Sequence, residues 1–126
     1  MDDRRIFSFV HDYRRLIVWQ RARTLGVDIH VASRSFPRSD RGLVAGQLRR
    51  SALSISANIA EGCGKTSRRE TIRFLEIASG SANETEHHLL VAGDLGFLAP
   101  KARDELASTT ITVQRMLRSL ILNLPQ

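Results

Sequence analysis

Apolar residues return along this chain every three or four positions, in four separate runs. In the first run, Val18, Ala22, Leu25, Ile29, Ala32 and Phe36 recur at spacings of 4, 3, 4, 3 and 4, which is the stripe of a helix packed in a bundle. The spacing predicts a helix from about Leu16 to Phe36, ended by Pro37 because the residue before a proline avoids helical geometry. Ala45, Leu48, Ala52, Ile55 and Ile59 mark a second helix over about 40–61. Ser39 or Asp40 is placed to cap it, and Gly62 and Gly64 are expected to supply a left-handed stop.

Ser67-Arg68-Arg69-Glu70 has the form of a capping box, in which Ser67 and Glu70 satisfy each other's backbone N–H. It predicts a third helix over about 67–94, with Ile72, Leu75, Ala78, Ala82 and Leu89 facing inward. Gly96 breaks that helix, and Pro100 suits the first turn of a fourth over about 100–123. The fourth stripe reads Ala102, Leu106, Thr109, Val113, Met116 and Leu120, ending near Pro125. Short connections favour antiparallel neighbours. The expected fold is therefore all-α, an antiparallel up-down-up-down four-helix bundle formed as a single domain.

The third helix stands apart in one respect. Ala78-Ser79-Gly80-Ser81-Ala82 is too small to fill a core alone, and Gly80 costs about 1 kcal/mol of helix propensity relative to Ala. A neighbouring backbone is expected to come close, either inside the bundle or across a subunit interface.

Composition refines this picture only slightly. The chain has 126 residues, 42% hydrophobic and 25% charged, with one cysteine. A lone cysteine cannot form an internal disulfide, which fits a reducing compartment, and a cytoplasmic location is expected. The apolar run Ile6 to Val10 is interrupted by Ser8 and lacks the length and cleavage site of a signal peptide. No run approaches the roughly 20 apolar residues needed to cross a bilayer, so no membrane role is expected.

Charge changes the picture more. The net charge is +6, and 17 of the 19 basic residues are Arg. Residues 1–62 hold 11 Arg against 6 acids, whereas residues 63–126 hold 8 basic residues against 7. Arg matches phosphate geometry and stacks on bases, so RNA or DNA is a reasonable partner class; the plainer alternative is that Arg solvates helix faces. Arg49, Arg50, Lys65, Arg68, Arg69 and Arg73 are expected to bracket one helix–helix corner and form the nucleic-acid-binding site. Arg68 and Arg69 fall in the first turn of the third helix, where the dipole disfavours cations. An anionic ligand would offset that cost. Arg4, Arg5, Arg14, Arg15, Arg21 and Arg23 lie near the start of the chain and are expected to add to such a surface.

No catalytic set emerges. Gly62-Cys63-Gly64-Lys65-Thr66 resembles the tail of a P-loop, but Ile59 stands where its first glycine belongs and a helix, not a strand, feeds it. Glu84-Thr85-Glu86-His87-His88 offers one Glu-x-x-His, whereas a di-iron bundle needs two such motifs and two further carboxylates; His11 and His30 have no ligand spacing. Cys63 has no Cys-x-x-Cys partner and no named base, and reads as a small residue in a tight turn. No metal and no cofactor are expected. Gln47, Arg50, Ser54, Asn58 and Glu61 form a polar stripe beside the apolar face of the second helix. If partly buried, they need partners across on the third helix, with Arg73 and Glu76 as candidates. If Arg50 and Arg73 point outward, they are available to phosphate.

Leu16-x-Val18-Trp19-Gln20-Arg21-Ala22, Phe36-Pro37, and Gly42-Leu43-x-x-x-Gln47-Leu48-Arg49-Arg50 occur in that order. Ser54-Ile55-x-x-Asn58-Ile59-Ala60-Glu61-Gly62, Arg73-Phe74-Leu75 and Leu95-Gly96-Phe97-Leu98 follow. In these signatures the chain resembles the bacterial four-helix-bundle family of 23S rRNA intervening-sequence proteins, which includes the accessory variability proteins of diversity-generating retroelements. Ser56 departs from the pattern where proline is common, Arg15 where an acid is common, and Arg41 where an aromatic is common. The resemblance implies a homopentameric barrel with a positively charged surface, and no catalysis. In the retroelement branch it implies binding to nucleic acid and to a reverse transcriptase. The alternative is a protein-interaction scaffold without a nucleic-acid role, its contacts drawn from helix three and from Ile6, Phe7, Phe9 and Trp19.

Overall fold

The computed structural model describes residues 12–124. Arg4, Arg5, Ile6, Phe7, Phe9, His11 and Pro125, all named above, lie outside them. Among the described residues there are four α-helices: α1 Ile17–Ala32, α2 Leu43–Cys63, α3 Arg68–Asp94 and α4 Pro100–Asn123. Each packs on the next, and α4 returns against α1, closing the bundle.

Side-chain contacts give the register and show every successive pair to be antiparallel. Arg49 Nε donates to Ser33 Oγ at 2.6 Å, while Gly26 lies beside Ala52 and Leu53; this aligns α1 with α2. Between α2 and α3, Ser51 meets Thr85, Ser54 meets Ser81 and Gly62 meets Thr71. Between α3 and α4, Gln114 Nε2 donates to Asn83 Oδ1 at 2.7 Å and the Arg103 side chain lies over Gly93.

The predicted stripes of the first two helices are buried as expected, except that Ala32 is half-buried. In α3, Leu75, Ala78, Ala82 and Leu89 have no exposed surface, Ile72 is half-buried, and Thr71, Thr85 and Ala92 join the core. The fourth stripe is corrected. Thr109 faces solvent, and Thr110, Val113 and Leu117 are the buried residues of α4, with Leu106, Met116 and Leu120 half-buried against the core. Thr110 is admitted because its hydroxyl donates to the Leu106 carbonyl at 2.8 Å, satisfying itself within its own helix.

Several boundaries also differ. α1 ends at Ala32 and continues as a 3₁₀ turn over Ser33–Ser35. Asp40 does cap the second helix, accepting from the Val44 N–H at 2.7 Å, but the helix begins only at Leu43. Arg41 and Gly42 intervene, both left-handed at φ 53° and 74°. Neither Gly62 nor Gly64 is left-handed: α2 runs through Cys63, and Gly64 has φ −85°. Ser67 caps α3 by accepting from the Glu70 N–H at 3.1 Å. The Glu70 carboxylate turns to Arg73 instead of back to Ser67. At the opposite end Gly96, φ 76°, stops α3, and Pro100 starts α4. Phe36 and Phe97 close that end with ring centroids 5.4 Å apart.

Gly62 is required for a different reason from the one its sequence context suggests. A Cβ there would sit 2.9 Å from Phe74 Cβ and 3.1 Å from the Thr71 carbonyl oxygen. Thr71 Oγ1 also donates to the Gly62 carbonyl at 3.0 Å. The start of α3 is thereby clamped to the end of α2. Gly80 behaves oppositely: it is exposed, and a Cβ there meets nothing within 4 Å. Small size within this helix serves the bundle at Ala78, Ser81 and Ala82, not at Gly80.

These two glycines generate a paired prediction. Gly62→Ala should destabilise by about 2 kcal/mol because backbone and a Cβ must shift, whereas Gly80→Ala should stabilise by roughly 1 kcal/mol through helix propensity. Urea unfolding of both variants checks the pair, and loss of stability at Gly80→Ala would contradict its open surroundings.

Candidate functional site

Antiparallel alternation redistributes the charge of the chain. The start of α1, the end of α2, the start of α3 and the end of α4 share one end of the bundle. That half carries Arg14, Arg15, Arg21, Arg23, Lys65, Arg68, Arg69, Arg73, Arg115 and Arg118. Its carboxylates are Asp12, Glu61, Glu70 and Glu76. In the other half Arg34, Arg38, Arg41, Arg49, Arg50, Lys101 and Arg103 are matched by Asp28, Asp40, Glu84, Glu86, Asp94, Asp104 and Glu105. Among the described residues, the excess of positive charge therefore belongs to one end of the bundle rather than to the N-terminal half of the sequence.

The six predicted site residues do not form one corner. Lys65, Arg68, Arg69 and Arg73 gather at the α2–α3 turn. Arg49 and Arg50 precede Lys65 by a helix length on the order of 20 Å, at 1.5 Å per residue. Arg49 is half-buried and tied to Ser33 of the α1–α2 connection. Arg50 is exposed, with Gln47 Oε1 3.4 Å from its Nη1. Both lie toward the end where charges balance. The length of α2 separates them from the α2–α3 turn.

Within the turn, each cation is held differently. Lys65 pairs with Glu61 at 3.3 Å and its ammonium sits 5.1 Å from the Phe74 ring centroid. Arg73 pairs with Glu70 at 3.2 Å, and its guanidinium carbon lies 4.5 Å from the same centroid. Arg68 is half-buried, its Nε 3.5 Å from the Leu124 carbonyl. Arg69 is exposed, and its side chain makes no ion pair or hydrogen bond among the described residues. Arg68, Arg69, Ile72, Arg73 and Glu76 line an open groove of about 510 Å³ on the outer side of α3. A second groove of about 340 Å³ adjoins it through Glu76, reaching Gly80, Arg118 and Leu122. Unpaired backbone N–H groups at the start of α3, together with Arg68 and Arg69, suit an anion in this position.

Trp19 forms a second cation–aromatic group at the same end. Its ring stands edge-on to Tyr13 with centroids 5.0 Å apart, and the Arg23 guanidinium carbon lies 5.3 Å from its centroid. The i+4 relation of Trp19 to Arg23 is the feature of the sequence that points to this group.

The polar stripe of α2 crosses to α3 through small hydroxyls. Ser54 and Ser81 hydroxyls are 2.9 Å apart, and Asn58 Nδ2 donates to both the Ser54 carbonyl and Oγ at 2.8 Å. Thr85 Oγ1 lies 3.0 Å from Ser51 Oγ and 2.8 Å from the Ser81 carbonyl. Arg73 and Glu76, the partners expected from the sequence, take no part. Both are exposed, and Arg73 pairs with Glu70 of its own helix.

The remaining candidates are accounted for structurally. Cys63 is a fully buried core residue closing α2 rather than part of the turn, and burial pushes its thiol pKa up to about 12; no thiolate nucleophile is available there. Lys65 is engaged with Glu61 and Phe74, and no P-loop cradle surrounds it. Among the described residues, no cluster of three His, Cys, Asp or Glu is placed to hold a metal. His88 is half-buried, and its Nε2 is enclosed without a hydrogen-bond partner. Burial lowers its pKa below the ordinary 6.5; Glu84 opposes that shift, and His87 adds to it. Among the described residues, no helix is long and apolar enough to cross a membrane.

A family model described as 23S rRNA-intervening sequence protein matches residues 14–119 of the chain. The chain is also similar to a crystallised protein of unknown function from the S23 ribosomal protein family of Bacteroides thetaiotaomicron. The two share 26% identity with a TM-score of 0.77, over 83% of this chain and 98% of that one. No curated protein matches it.

His88 supplies a prediction about pH. A histidine with a lowered folded pKa binds protons more readily when unfolded, so stability falls as pH drops through about 6.5 and levels off below the folded pKa. The melting temperature should fall between pH about 7.5 and about 5, and His88→Gln should reduce that fall. An undiminished fall in the variant would assign the pH dependence elsewhere.

Proposed function

The chain belongs to the 23S rRNA-intervening sequence protein family, and from that premise we propose a non-enzymatic, homo-oligomeric bundle that binds RNA or DNA through its phosphates. The observation that carries this reading is the charge of one bundle end, where ten Arg or Lys side chains face four carboxylates. Lys65, Arg68, Arg69 and Arg73 form the centre of the interface, and Arg14, Arg15 and Arg21 extend it along α1. Arg49 and Arg50 stand apart and contribute little. A cytoplasmic setting is consistent with this role.

Phosphate contacts release counterions, which makes affinity fall linearly with salt on a log–log scale. Phosphate contacts carry no sequence information, so affinity that rests on them should depend little on sequence. Self-association would multiply such an interface, since each copy presents its own basic end. Exposed Val27, Val31, Leu43 and Leu53 on α1 and α2 provide apolar surface for contact between copies. The same surface favours the second reading, a scaffold whose partner binding is insensitive to salt.

Arg68→Glu combined with Arg69→Glu should abolish binding in fluorescence anisotropy while the melting temperature is kept. An acid in the first turn suits the helix dipole, by a few tenths of a kcal/mol per residue. Retained binding, or a binding constant flat in salt, would overturn the phosphate reading and favour the scaffold.

A further inference from the structure

We propose that the basic end selects single-stranded nucleic acid, by stacking exposed bases on two guanidinium planes that are themselves backed by aromatic rings. This inference rests on the phosphate-binding reading above and narrows its ligand.

The first platform is Arg73 over Phe74, with the guanidinium carbon 4.5 Å from the ring centroid and the Arg73 side chain 57% exposed. Glu70 holds Arg73 from its own helix, with Nε donating to Oε2 at 3.2 Å. Phe74 packs closely on the end of α2, its Cβ occupying space that a side chain at residue 62 would need. The second platform is Arg23 over Trp19, at 5.3 Å, with Tyr13 bracing the indole edge at 5.0 Å. A guanidinium lying over an aromatic ring presents its outer face as a flat, sequence-tolerant surface for a base.

Two such platforms stand at the end of the bundle where cations outnumber carboxylates. Arg69, exposed beside the first platform and with no side-chain partner among the described residues, is available to the connecting phosphates. Bases of a duplex are already stacked on one another and cannot reach these planes. An unpaired strand offers base faces and phosphates together, the combination used in sequence-tolerant single-strand binding.

The test uses an unstructured RNA oligonucleotide and a perfectly paired RNA duplex of equal length, each titrated into the full chain. Trp19 is the one tryptophan of the chain, so its fluorescence reports this platform alone. The single strand should quench Trp19 and bind about tenfold more tightly than the duplex, in keeping with stacking of one or two bases. Arg23→Lys with Arg73→Lys keeps the charge and removes the planes; it should bring the affinity ratio close to unity. Equal affinity for strand and duplex in the wild type, or an unchanged ratio in the double variant, would overturn single-strand selection while leaving phosphate binding intact. Saturable binding without quenching would overturn the Trp19 platform. Binding of neither probe at low salt would defeat the phosphate reading itself.

Discussion

The clamp at Gly62 is the contact on which the functional end of this bundle depends. With no side chain at residue 62, the first turns of α3 lie directly on the last turn of α2, and Thr71 bonds the Gly62 carbonyl. That contact places Phe74 against α2 and turns Lys65 and Arg73 onto its ring. It also leaves Arg68 and Arg69 in the opening turn of α3, a position that the helix dipole disfavours for cations and that a bound anion would relieve. A bulkier residue at 62 would open the corner and scatter the cations it gathers.

Farther along the same pair of helices, small polar side chains keep the approach close. Ser51, Ser54, Ser81 and Thr85 hydrogen-bond across or along the helices. Each hydroxyl that enters the interface is satisfied, which is the condition for a polar group at a buried contact. The result is a rigid α2–α3 pair with charged side chains displaced to its outer surface. Close packing between the two helices thus comes from the shortness of the side chains at these positions, whereas the concentration of charge comes from the antiparallel order of the helices.

Most of the architecture was legible because each helix carries its own apolar period. The four helices, their antiparallel order, the Ser67 cap, the Gly96 stop and the Pro100 start all follow from local pattern. The fourth stripe misled because Thr109 and Thr110 are identical in type, and Leu106 pairs with either at helical spacing. Burial of Thr110 depends on how α4 is rotated against α3, which no local pattern records. Gly62 was noticed, but its role was assigned to backbone freedom rather than to the approach of Phe74. The candidate site was half legible: local clustering found Lys65, Arg68, Arg69 and Arg73. Arg49 and Arg50 were joined to them because linear charge counts ignore the length of α2. The charge asymmetry between bundle ends is a product of antiparallel folding, and appears only when distant segments are superposed.

Photocrosslinking of bound RNA, followed by peptide mapping, tests the central claim most directly. The account predicts crosslinks within residues 12–24 and 61–74, the segments that build the basic end, and few within 34–50 or 94–105, where charges balance. Crosslinks spread evenly over both ends, or concentrated around Arg49 and Arg50, would contradict it.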